Sequence, residues 1–127
     1  MNVSFKITMS MVLYHAQTMK EMRIDKVIEQ SYNEDSQEYK MLCDVYKEII
    51  GFEREHDKDE FDKELLKTLA KEAEQAEKET IAQIEQTIKT CYLKGASAYV
   101  SFGGYMINPK DFCAVRIDGF NIQFNKK

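Results

Sequence analysis

The stretch from Asp57 to Leu93 constrains the fold of this chain more than any other, because its pattern is that of one uninterrupted helix. It contains neither glycine nor proline, and its apolar residues recur three or four positions apart, so they form one stripe. Asp57 and Glu60 make a capping pattern at the start, and Lys94-Gly95 is a stop signal. The sequence therefore predicts a helix of about 37 residues, roughly 55 Å long.

A helix of this length is expected to extend beyond its own domain. A chain of 127 residues forms a globule roughly 35–40 Å across, so another molecule would have to cover the overhang, most simply a second copy. The stripe contains alanines in its middle, where two helices can approach closely. We therefore predict a homo-oligomer, a dimer or higher, with an interface formed by Leu69, Ala73, Ala76, Ile84 and Ile88. The alternative is a long surface helix with a solvated middle.

The residues before the long helix predict one strand and two further helices. Apolar and polar residues alternate from Asn2 to Met9, which is typical of a strand. The apolar spacing then becomes helical from Ser10 to about Ile28, with Ser10 as the cap. A second helix follows, capped either by Asp35 with Glu38 or by Ser36, and it ends at Gly51. The short connector to the long helix favours an antiparallel helical hairpin.

The residues after Gly95 alternate with a period of two and predict an antiparallel β-meander. Gly103-Gly104 is either a hairpin turn or a bulge in one strand, so the meander has three or four strands. Asn108–Asp111 is a turn signal, and Asp118-Gly119 is a tight hairpin signal. The meander needs a hydrophobic partner, which the helices supply. The expected fold class is α+β, with residues 1–127 in a single domain.

The residues that carry chemistry match no enzyme motif. The sequence lacks a nucleophile elbow, a phosphate-binding loop, a dinucleotide fingerprint and a zinc-protease motif. Glu53 and His56 form an E-x-x-H pair, but a di-iron centre needs two such pairs, and His15 has no Glu three positions earlier. The acidic run that begins at Asp57 lacks the glycine of a calcium loop. We therefore expect no catalytic site, no metal and no cofactor.

The cysteines and the hydropathy pattern predict a cytoplasmic protein. Cys43, Cys91 and Cys113 are odd in number and widely spaced. This pattern favours reduced thiols, with Cys43 and Cys91 buried on helices. The sequence has no apolar run long enough for a transmembrane helix and no pattern of a signal peptide. We expect no contact with a membrane.

The charge is distributed unevenly and suggests a basic partner. The net charge is −4, of which residues 1–93 carry −7 and residues 94–127 carry +3. Small acidic proteins without catalytic motifs often act by covering another macromolecule, as immunity proteins and phage-encoded inhibitors of host defence do. We predict a non-catalytic binding protein of this inhibitor type, acting by protein–protein interaction. The predicted contact residues are Glu53, Asp57, Asp59 and Asp62.

Two alternatives place the working surface on the basic C-terminal sheet. One is the binding or sequestration of a small anionic ligand such as a nucleotide. The other is the binding of single-stranded nucleic acid, which uses stacking aromatics beside basic residues. The candidate residues for both alternatives are Arg116, Lys110, Tyr99 and Tyr105. The sequence alone leaves open whether the acidic or the basic end is the working surface.

Overall fold

The computed structural model of the chain describes residues 2–94 and 99–126. Within these ranges the protein has two α-helices, one short 3-10 helix and five strands, so the class is α+β. In chain order, the elements are β1 (Asn2–His15), β2 (Glu21–Asn33), α1 (Gln37–Ile50), α2 (Lys58–Lys94), β3 (Val100–Phe102), β4 (Tyr105–Ile107), the 3-10 helix (Pro109–Asp111) and β5 (Phe112–Lys126).

The predicted arrangement of one N-terminal strand and three helices is wrong. The segment expected to form a helix from Ser10 instead continues β1, and after the loop 16–20 the chain returns as β2. The strand β1 lies in the middle of a three-stranded sheet with the order β2-β1-β5. Residues 9–13 are all buried, so both faces of β1 are covered there. A strand covered on both faces loses its alternation, which is why the helical spacing was misleading.

The three-stranded sheet is antiparallel. Its first two strands are joined by only five residues, which is too short for a parallel crossover. The loop closes where the N–H of Met19 donates to the carbonyl oxygen of His15 at 2.8 Å, with Met19 at φ 58°. At the other edge, the N–H of Ala16 donates to Asp111 at 2.8 Å, so the start of β5 lies beside the end of β1.

The predicted C-terminal meander is also wrong. Strands β3 and β4 form a separate two-stranded antiparallel sheet, in which Phe102 pairs with Tyr105. Gly103 and Gly104 have φ of 57° and 83°, so they form a turn and not a bulge. The Asp118-Gly119 pair is not a turn, because β5 runs through it without a break. An Asp-Gly pair permits a hairpin, but here β5 continues as an edge strand of the larger sheet instead.

Two of the predicted helices are confirmed. Helix α1 begins after Ser36, whose hydroxyl accepts from the N–H of Tyr39 at 3.1 Å, and ends at Gly51 with φ 92°. Helix α2 begins after Asp57, whose carboxylate accepts from the N–H of Glu60 at 3.2 Å. Its predicted stop at residue 95 lies outside the described residues. Neither of these helices has an apolar stretch long enough to cross a membrane.

The chain divides into two compact units, and both draw on the same strands and on α2. The first unit comprises Met1–Ile7, Ile28–Glu74 and Ile122–Lys127. The second unit comprises Thr8–Val27 and Gln75–Asn121. The core of the second unit consists of Met9, Met11, Leu13, Ile24, Ile81, Ile84, Ile88, Phe102, Ile107 and Phe112. In the first unit, the largest buried side chains include Phe5, Tyr39, Phe61 and Leu65. The single domain expected from the length stays a prediction.

Candidate functional site

Helix α1 of the first unit exposes three large apolar side chains in one line. Met41, Val45 and Ile49 are 59%, 67% and 65% exposed, respectively. Residues four apart on a helix are neighbours on its surface, so the three form a continuous stripe along α1. We call these three residues the α1 stripe. Contiguous apolar surface of this kind marks a site of interaction more often than scattered single residues do.

The α1 stripe arises because α1 is apolar on two sides. Its inward side presents Tyr39 and Cys43, both of which are buried. Ile49 follows Tyr46 at a helical spacing of three, so spacing alone also fits Ile49 to the inward side. The signal was nevertheless present, since Met41, Val45 and Ile49 recur every four residues and lie off the line through Tyr39 and Cys43.

Acidic side chains border the α1 stripe. Successive helical residues are rotated by about 100°, so Glu38 and Glu48 fall within about 60° of Val45. Asp44 lies about 100° from Val45 around the helix axis, whereas Lys40 and Lys47 lie about 140° or more from it. Glu38, Asp44 and Glu48 are all exposed. We call these three residues the acidic rim. Asp44 and Glu48 lie on the same side of the stripe and Glu38 lies at its N-terminal end, so one margin and one end are negatively charged.

The predicted acidic contact residues belong to the same unit, but one of them is buried. Glu53, Asp57 and Asp59 are exposed, and Asp57 also caps α2. The side chain of Asp62 is only 1% exposed, so its carboxylate does not face a partner. A cleft of about 380 Å³ is lined by residues of α1 and of the connector, among them Cys43 and Glu53.

The carboxylate of Asp62 forms a buried polar cluster. It accepts a hydrogen bond from the hydroxyl of Tyr39 at 2.5 Å and another from Nε of Arg54 at 3.0 Å. Oε2 of Glu34 lies 3.8 Å from Arg54 and 3.3 Å from the ammonium of Lys58. Burial raises the pKa of the Tyr39 hydroxyl well above its usual range, and the hydrogen bond to Asp62 adds to the shift. The cluster ties the connector to both helices, so its role is structural.

On the proposed basic surface, the charge of Arg116 is already balanced. Its Nε donates to the hydroxyl of Tyr14 at 2.7 Å, and its terminal nitrogens contact Asp118 and, at 3.7 Å, Glu21. Asp118 also binds Arg23, and the hydrogen bonds from the two arginines hold the pKa of its carboxyl below its usual value. An anion at Arg116 would therefore have to compete with carboxylates already in place. The other three candidates, Lys110, Tyr99 and Tyr105, are exposed.

The residues predicted to form an oligomer interface have very different environments. Ile84 and Ile88 are buried in the core of the second unit, where the chain itself covers them. Leu69 and Ala73 are half-buried and Ala76 is exposed. Self-association through α2 stays a prediction. Of the five predicted interface residues, only Leu69, Ala73 and Ala76 are accessible to a second copy in this structure.

The three cysteines differ in exposure. Cys43 and Cys91 are buried as expected, and Cys113 is exposed. Within residues 2–94 and 99–126, no three or more His, Cys, Asp or Glu side chains are grouped so that they could hold a metal ion.

Comparison with family models, with curated proteins and with solved structures gives no significant match for this chain.

Proposed function

We propose that the protein is a non-catalytic binding protein that contacts another protein through its first unit. The observation that carries the proposal is the α1 stripe, in which Met41, Val45 and Ile49 are each more than half exposed. Removing apolar surface from water contributes about 25 cal/mol per Å² to association, and the entropy lost on binding offsets part of this gain. Fully desolvated apolar side chains at the centre of a polar rim are the usual source of affinity in protein interfaces.

The charge of the first unit supports a basic partner. The first unit contains 15 acidic and 10 basic residues, a net charge of −5, whereas the second unit contains 7 and 8, a net charge of +1. An acidic surface attracts a basic partner over several ångströms and accelerates encounter. Glu53, Asp57 and Asp59 contribute to this field from the connector and the start of α2. Asp62 is left out, because it is neutralised inside the unit by Arg54.

The proposed mode of action is to cover the partner, as acidic inhibitor and immunity proteins do. The protein would act in the cytoplasm, where its three free thiols stay reduced. The alternatives, an anionic ligand or single-stranded nucleic acid on the second unit, stay predictions. They are less favoured, because Arg116 is already engaged by Asp118 and Glu21.

The proposal is tested by capturing a partner with immobilised variants and then measuring its affinity. Replacing Met41, Val45 and Ile49 together by Gln removes the α1 stripe but keeps good helix formers in α1. The matched control replaces Val27 and Met106 by Gln, since they are similarly exposed, at 54% and 69%, but lie in the second unit. We expect the dissociation constant to rise by at least about tenfold in the stripe variant and to stay unchanged in the control. Equal affinities in both variants would contradict the proposal.

A further inference from the structure

We infer that the α1 stripe is bound by an amphipathic helix of another protein, with Lys or Arg along the side of its apolar residues that faces the acidic rim. This inference rests on the proposed function and specifies the chemistry of the partner. Three observations support it: the linear form of the stripe, the acidic rim beside it and the like charges that a second copy would bring.

The form of the α1 stripe fits a helix. Met41 to Ile49 spans about 12 Å along one line of α1. Residues spaced four apart form a ridge, and such ridges pack into the grooves of another helix. Added strands need a free sheet edge, and α1 offers none, since the backbone N–H and C=O groups inside a helix are already paired. A helix with apolar residues at spacings of three and four is therefore the partner segment that matches the stripe.

The acidic rim determines the charge of that helix. Glu38, Asp44 and Glu48 are exposed beside the stripe. Positions that flank the apolar seam of paired helices commonly carry opposite charges, which set the choice of partner. The long stems of Lys and Arg also cover apolar surface while their charged ends reach an acidic margin. A basic flank therefore matches the rim both in charge and in reach.

The same charges disfavour a second copy of this chain as the occupant. If two copies of α1 packed antiparallel about a two-fold axis, each flank would face its own counterpart. Asp44 and Glu48 would then lie opposite the same acids of the other copy, and like charges placed opposite each other oppose association. The net charge of −5 on the first unit adds to this repulsion.

The test uses two designed helical peptides of about 18 residues that share one leucine stripe. The first peptide carries Lys on one flank of the stripe and the second carries Glu on the same flank. Binding to the full chain is followed by fluorescence anisotropy. We expect the Lys peptide to bind at least about tenfold more tightly than the Glu peptide, and to weaken as salt is raised. Equal binding of the two peptides to the wild type would overturn the inference.

Two variants separate the inference from the function on which it rests. Neutralising the acidic rim with Glu38→Gln, Asp44→Asn and Glu48→Gln should remove most of the protein's preference for the Lys peptide over the Glu peptide. The matched control, Glu79→Gln with Asp111→Asn, changes exposed acids of the second unit and should keep it. If the two peptides bind equally and the stripe variant loses both, the inference fails but the α1 stripe remains a contact surface.

Two further results would also overturn the inference. If the stripe variant binds the Lys peptide as tightly as the wild type does, both the inference and the proposed function fail. If light scattering shows a dimer that the stripe variant abolishes, the occupant is a second copy and not a basic helix.

Discussion

The buried carboxylate of Asp62 links three parts of the first unit, since Tyr39 of α1 and Arg54 of the connector both donate to this residue of α2. Asp62 stands in a run of acids, so it was predicted to lie on the surface with Asp57 and Asp59. The structure buries it against Tyr39 from the other helix and Arg54 from the connector. Pairing of this kind depends on how α1, the connector and α2 pack together, which residue spacing within one helix does not encode.

Removing the Asp62 carboxylate should destabilise the fold strongly. We expect Asp62→Ala to lower the free energy of unfolding by about 3–5 kcal/mol, because Arg54 is then left in a largely buried site without this partner. Glu55→Ala is the matched control, since Glu55 is exposed in the same connector, and it should change the value by at most about 0.5 kcal/mol. Urea unfolding measures both variants, and similar midpoints for the two would contradict the prediction.

The Tyr39 hydroxyl should make the protein sensitive to alkali. In the unfolded chain a tyrosine loses its proton near pH 10. In the folded chain, burial and Asp62 raise the pKa of Tyr39 above that value, so its contribution is present below about pH 10 and is lost as the pH rises further. Stability should therefore fall above about pH 10, and Tyr39→Phe should make this fall shallower.

A second tyrosine of the first unit acts in the same direction. The hydrogen bond from Tyr46 to Glu72 raises the pKa of Tyr46 to about 12. Tyr46→Phe is therefore the comparison variant. Urea unfolding at a series of alkaline pH values measures the free energy of unfolding of both variants. If this free energy falls with pH as steeply in Tyr39→Phe as in the wild type, the account of Tyr39 is wrong.

At the scale of elements, prediction succeeded where several local signals agreed. In α1 and α2 the cap residues and the helical spacing indicate the same boundaries, so both helices could be predicted. The central strand β1 is buried on both faces around Met11, and its apolar run fits a helix as well as a strand. Asp118-Gly119 carried a turn signal, but β5 continues through it as part of the sheet. These errors arise from sheet pairing, which depends on residues far apart in sequence.

The turn between β3 and β4 should depend on Gly103 far more than β5 depends on Gly119. An added Cβ at Gly103 would lie 3.0 Å from Cγ2 of Ile24 and 3.1 Å from the carbonyl oxygen of Asp25, at a φ of +57°. An added Cβ at Gly119 would meet nothing within 4 Å. We expect Gly103→Ala to destabilise the protein by about 1–3 kcal/mol and Gly119→Ala to be neutral or slightly stabilising. Urea unfolding compares them, and equal effects would show that the contacts at Gly103 are unimportant.

At the scale of the whole molecule, the charge asymmetry was predictable in sign but not in its boundaries. Along the sequence it divides into an acidic part and a basic C-terminal part. The residue ranges of the two units alternate along the sequence, however, and the first unit also includes the C-terminal segment Ile122–Lys127 with its two lysines. The first unit is still the acidic one, with a net charge of −5. The α1 stripe has a signal in the sequence, since its residues recur every four positions, but the spacing does not show which of the two apolar sides of α1 is packed.

The most direct test of the central claim is a methyl NMR titration of the protein with its purified partner. The methyl groups of Met41, Val45 and Ile49 report on the α1 stripe, and those of Val27 and Met106 report on exposed surface of the second unit. The account predicts that the resonances of the stripe shift or broaden on binding while Val27 and Met106 change little. Shifts confined to Val27 and Met106, with the α1 stripe unperturbed at saturation, would contradict it.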